Sequence, residues 1–187
     1  MNNIDVLNIA LDTASIFICL FGVAIAIVSR RFDRKLTHIF FILFLSHLLM
    51  VASNLFGILY RHDTTPIGMT IIPIANFCEF FFNNITAFTM IQYFLSFIGK
   101  DPHKRLINGI GMCIFTIYAV SIVVNVFYPF LYYQDAFNVY HRGDGYWIAT
   151  ALGVTYTGLS YYIGIRSYPN YGKDERIIFL IYAMWRP

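Results

Sequence analysis

Long apolar runs cut by short polar segments make up almost the whole chain. A membrane-crossing helix needs about 20 mostly apolar residues. Five runs meet that length, at 6–28, 36–60, 71–98, 106–131 and 147–165. Alternation with a period of two is absent from them, and open strands cannot satisfy their backbone in lipid. Each run is therefore predicted as a helix. A sixth run begins at Ile177 and stops at Trp185, nine residues in all. At 1.5 Å per residue such a run reaches about 14 Å, half of a bilayer core of about 30 Å. The expected fold is an all-α membrane bundle of five complete transmembrane helices plus a truncated sixth over 177–187. An unpartnered Arg186 at mid-membrane depth would be costly, so the chain is expected to be a fragment.

One loop carries a pattern of its own. Tyr132-Tyr133 and Val139-Tyr140 flank Gln134-Asp135-Ala136-Phe137-Asn138. Two β-prone pairs around an Asp- and Asn-containing turn predict a short hairpin between helices four and five. Gly143-Asp144-Gly145 then breaks the chain ahead of Tyr146-Trp147, an aromatic anchor for the fifth helix.

Charge turns this series of helices into a topology. Ten of the 13 Lys and Arg residues lie in 29–35, 99–105 and 166–176. The alternate loops hold only Arg61 and Arg142. Cationic loops stay on the cytoplasmic side. The N-terminus and loops 61–70 and 132–146 are thereby placed outside. Met1-Asn2-Asn3-Ile4-Asp5 has no positive charge, so the first run is expected to stay as a helix rather than be cleaved as a leader.

Composition agrees. The chain is 58% hydrophobic and 12% charged, with mean hydropathy +0.63. A soluble domain carries about 25% charged residues. The net charge of +3 sits in membrane-flanking loops, which argues for lipid contact and against nucleic acid. Cys19, Cys78 and Cys113 lie in apolar runs and read as small core hydrophobes.

Polar residues inside the runs are the candidate chemistry. Asp12 and Glu79 are the two acidic ones, and such residues are rare in spans. With the topology above, Asp12, Asn54, Glu79, Asn125 and Tyr156 come from five helices and all fall in the outer half. Asn8, Asp12 and Ser15 share a helical face, as do Asn76, Glu79 and Asn83, His47 and Asn54, and Ser121 and Asn125. One reading is an outward-facing pocket for a small extracellular ligand, built from Asp12, His47, Asn54, Glu79, Asn83, Asn125 and Tyr156. Its two carboxylates would favour a cationic or donor-rich ligand. The other reading is interhelical hydrogen bonding, worth about 0.6–2 kcal/mol per contact. His47 reads as a packed histidine or a partner of Glu79. No second ligand lies at metal-binding spacing, so neither metal nor cofactor is expected. Asn84-Ile85-Thr86 matches a glycosylation sequon but lies within a run. P-loop, GxGxxG, HExxH and GxSxG patterns are absent, and no catalytic residue is expected.

The segment from Leu131 through Tyr140-His141-Arg142-Gly143 to Tyr146-Trp147 resembles a loop of the N-terminal membrane sensor regions of clostridial-type signalling proteins. Those proteins carry a C-terminal GGDEF diguanylate cyclase domain, and related regions precede histidine kinases. The resemblance implies a sixth and seventh helix, a cytoplasmic output domain missing from this chain, and a homodimer through that domain. The residues themselves leave two readings of Tyr140, His141 and Arg142: an anchor, with Arg142 on Asp144 or lipid phosphate and Gly143 at positive φ, or a lid over the pocket. The function the resemblance implies is the sensory input of a bacterial inner-membrane signalling protein. A small-solute-binding or transport subunit is the alternative from the residues alone.

Overall fold

The computed structural model describes residues 3–28, 34–98, 102–170, 172 and 176 of the 187. Five helices follow one another: α1 (Asn3–Val28), α2 (Arg34–Leu59), α3 (Pro66–Phe97), α4 (Lys104–Phe127) and α5 (Tyr146–Ser167). Strands β1 (Tyr132–Gln134) and β2 (Tyr140–Arg142) lie between α4 and α5 and pair antiparallel, with Tyr133 opposite His141. Helices α1 to α4 are long and apolar enough to cross a membrane. Helix α5 has spanning length, 22 residues, but Thr150, Thr155, Thr157 and Ser160 dilute its apolar positions. The described chain is thus a mostly helical, multi-pass membrane protein with four clear candidate spans. The expected sixth segment, 177–187, lies outside the described residues, as do 29–33 and 99–101 of the basic loops.

Most helix ends lie within three residues of the hydropathy reading; two depart by more, each for a local reason. Helix α3 starts at Pro66, ahead of the expected 71. Thr65 is extended and its hydroxyl accepts from the Gly68 amide at 3.2 Å, and Pro66 occupies the first turn, where its missing N–H costs nothing. Helix α4 ends at Phe127, short of the expected 131. Tyr128 precedes Pro129, which disfavours helical backbone, and Tyr128 is extended at φ −135°, ψ 100°.

Helix α3 is the hub. It packs against α2, α4 and α5, whereas α1 rests on α2. Its best membrane-length window has mean hydropathy 1.2, against 2.2 or more in the other three candidate spans. A helix surrounded by protein can carry polar residues that a lipid-facing helix cannot. The core runs along its length, with Ile91, Phe94, Ile122, Leu131, Tyr156 and Ile163 nearly inaccessible. Leu7, Leu11, Phe17, Ile18 and Phe21 of α1 are exposed, which suits lipid as the solvent for that face. At the opposite end from the hairpin, the Lys104 ammonium donates to the Ile98 carbonyl at 3.0 Å, satisfying an orphan acceptor at the end of α3.

Candidate ligand-binding site

The hairpin is fastened down at three places. Asn125, near the end of α4, is buried. Its Oδ1 accepts from the Leu131 and Tyr132 amides at 2.6 and 3.2 Å, and its Nδ2 donates to the Tyr132 carbonyl at 3.1 Å. At the turn, Asp135 Oδ1 accepts from the Phe137 and Val139 amides, both at 2.9 Å. Asn138 follows in the left-handed region, φ 59°, which Asn tolerates. The Asn138 Nδ2 donates to the Asp63 carbonyl at 2.7 Å, tying the hairpin to the α2–α3 connection. Tyr132 stacks on Phe80 of α3, centroids 4.8 Å apart. Burial pushes the Tyr132 phenol up to about 12, and burial raises that of Tyr140 as well.

Gly143 does not have a positive φ, because no glycine among the described residues does. Its role is close approach: a Cβ there would collide with the Phe130 carbonyl. Arg142 makes no bond to Asp144. Its guanidinium lies over the Tyr146 ring, 4.6 Å from the centroid, a cation–π contact.

Between this hairpin and the helices lies a cleft of about 250 Å³. Asn54 and Arg61 come from α2 and its end, Asn76 and Glu79 from α3. Asn138, Tyr140 and Arg142 close it from the hairpin, and Tyr146 from the start of α5. The cleft shares Glu79, Phe80 and Tyr146 with a second cavity of about 380 Å³. That one shares Asn83, Tyr118 and Ala149 with a third of about 400 Å³, reaching Tyr156 and Thr157. A polar groove therefore runs along the α3–α5 seam.

The polar atoms here are not spent on one another. Glu79 makes no hydrogen bond or ion pair among the described residues. The Asn76 Nδ2 and the Asn138 Oδ1 are buried without a partner, although the two residues are only 7% and 1% exposed. Both residues line the cleft, but these two amide atoms are themselves sealed from solvent, so the Glu79 carboxyl is the polar group left unmatched in the cleft. Asp12 accepts from Asn54 Nδ2 at 2.9 Å and is near enough to Glu79 to interact electrostatically. Arg61 reaches Asp5 at 3.4 Å, which closes the same end of the bundle.

The expected residues divide accordingly. Asn54, Glu79, Tyr140 and Arg142 line the cleft, and Asp12 stands behind Asn54. Asn83 and Tyr156 lie further down the groove, where the Tyr156 hydroxyl donates to Asn84 Oδ1 at 3.0 Å. Asn125 is bonded to the hairpin backbone and does not face the cleft. His47 neither lines the cleft nor pairs with Glu79. His141 bonds Asp135 at 2.9 Å on the outer side of the hairpin. Asn76, Asn138, Arg61 and Tyr146 are members that the sequence reading did not include.

No protein-family model, curated protein or solved structure matches the chain. The site must therefore be argued from its own geometry.

Proposed function

We propose that the chain is a small-ligand receptor of the bacterial cytoplasmic membrane, with its N-terminus and hairpin outside. In the reading that the Tyr140–Trp147 resemblance suggests, it is the input module of a longer signalling protein with a diguanylate cyclase or kinase output. The observation that carries it is the unpartnered Glu79 carboxyl in a cleft beneath the hairpin that Asn54, Asn76, Asn138 and Arg142 also line. Two features support the signalling form. A ligand there would touch α2, α3, α5 and the hairpin at once, so any differential contact would shift their relative packing. The basic segments also flank the helix ends remote from the hairpin, which supports an outward cleft.

Accessibility tests the outward cleft. Asn76→Cys, in a chain whose three native cysteines are replaced by alanine, should react with a membrane-impermeant maleimide in intact cells. A cysteine at position 35 should not. An unreactive residue 76 in folded protein refutes the cleft. In the longer parent, Glu79→Gln should alter the output activity; wild-type output and response would exclude the sensory role. The groove from Glu79 towards Tyr156 and Thr157 favours a second reading, solute transfer along the α3–α5 seam, and solute uptake into proteoliposomes discriminates it.

A further inference from the structure

The cleft carries opposite charges that do not neutralise each other. Glu79 stands on the α3 wall and Arg142 on the hairpin, both line the same space, and no ion pair joins them. Arg142 has only the Tyr146 ring beneath it. Arg142 is exposed and open to an incoming anion, whereas Glu79 is half-buried, where an unmatched charge is costly. A ligand bearing only a cation would satisfy Glu79 and leave Arg142; an anion would do the reverse; a neutral ligand would leave both.

The cleft thus holds an acceptor suited to an ammonium, the Glu79 carboxylate, and a donor suited to a carboxylate, the Arg142 guanidinium. Its about 250 Å³ is below the range of about 300–1,000 Å³ typical of drug-sized ligands. Phe80, Tyr140 and Tyr146 supply flat apolar walls.

We propose that this cleft binds a small organic zwitterion, an amino acid or betaine, with its ammonium at Glu79 and its carboxylate at Arg142. The proposal rests on the receptor reading above and deepens it by naming the ligand class.

The test uses this chain in lipid nanodiscs and isothermal calorimetry. The probes are the twenty standard amino acids, glycine betaine and γ-aminobutyrate. Methyl esters remove the carboxylate charge, and N-acetyl derivatives or, for betaine, the neutral tert-butyl isostere remove the ammonium. At least one zwitterion should bind, and each masked form should bind at least about tenfold more weakly, as expected for losing one charged hydrogen bond. Glu79→Gln and Arg142→Gln should each weaken the zwitterion by a similar factor, while Arg142→Lys should retain most of the affinity. A masked form that binds as well as its parent overturns the zwitterion and leaves a ligand cleft in place. If no probe binds, the zwitterion is refuted. Labelling of Asn76→Cys then tells the cases apart: a reactive residue 76 preserves the cleft, and an unreactive one removes both.

Discussion

Removing the Asn125 side chain should release the hairpin, and the cost can be worked out from three bonds. In Asn125→Ala, the Leu131 and Tyr132 amides lose their acceptor and the Tyr132 carbonyl loses a donor. Leu131 is 0% exposed, so water cannot replace the lost acceptor without movement. A buried group left unbonded costs about 1–3 kcal/mol. Three such groups give about 3 kcal/mol at the low end of that range. Asn125→Leu makes the argument sharper. Leucine fills the volume that alanine leaves empty, yet it bonds none of the three groups. It should be no better than alanine. Asn125→Asp should fall between, since a carboxylate accepts both amides but sets an oxygen against the Tyr132 carbonyl. The assay is denaturant unfolding in detergent micelles, with hydrogen exchange at residues 131–142 to locate the loss. If leucine restores stability, the cost is volume and the hydrogen-bond reasoning fails. An alanine variant within about 0.5 kcal/mol of wild type, the range of ordinary surface changes, refutes it as well.

Asn84 bridges three helices, accepting from Tyr156 and donating to the Phe115 carbonyl at 3.1 Å. Tyr156→Phe should cost about 0.6–1 kcal/mol and Asn84→Ala about twice that, with the double variant no worse than Asn84→Ala plus a few tenths; additive losses in unfolding experiments would show that the bond is not shared. Gly143→Ala should cost about 1–3 kcal/mol, because the new Cβ displaces the Phe130 backbone, and an unchanged melting temperature would refute the close-approach account. At the turn, His141 first, then the Val139 amide, holds the Asp135 carboxyl below its ordinary value. A depressed folded-state value means that the contribution is complete above the unfolded value of about 4 and is lost as pH falls through the folded one. Exchange at the Val139 amide should therefore quicken relative to a neighbouring helical amide only in acid, below about pH 4. An Asp135→Asn variant that keeps the same acid transition would assign it elsewhere.

The elements that could be read from sequence were those coded by many residues at once. Each of the five helices spends 22 or more residues on one message, and the hairpin repeats its β-prone pairs on both sides of the turn. What escaped was coded by single residues or by distant ones. Pro129 stops α4 although Phe130 and Leu131 continue the apolar run. Thr65-Pro66 opens α3 while hydropathy is still low. Asn125 shares a helical face with Ser121, and that spacing suggested a common site. Yet the Ser121 hydroxyl returns to the Ile117 carbonyl at 2.8 Å, and Asn125 turns to the hairpin. Asn138 looked like a turn residue, because its partner Asp63 is 75 positions away and no local pattern encodes that pairing.

Helix α3 shows why composition alone could not separate structural from functional polarity. Asn76, Glu79, Asn83, Asn84, Thr86 and Gln92 all interrupt its apolar positions. Towards the far end their bonds are closed. Asn84 has Tyr156 and Phe115, Thr86 has Ser46 at 2.9 Å, and Gln92 donates to Asn108 at 2.7 Å. Each of those contacts crosses to another helix and fixes a crossing point. Towards the hairpin the pattern reverses: Asn76 keeps a free donor, and Glu79 and Asn83 have no hydrogen-bond partner among the described residues. A helix that merely needed glue would have no reason to leave its one carboxylate unmatched while bonding the amides of Asn84 and Gln92 further along. The same residue types are thus bonded across helices on one part of α3 and left unbonded on another, and the divide falls where the cleft begins; on the proposed receptor reading, the second set meets the ligand.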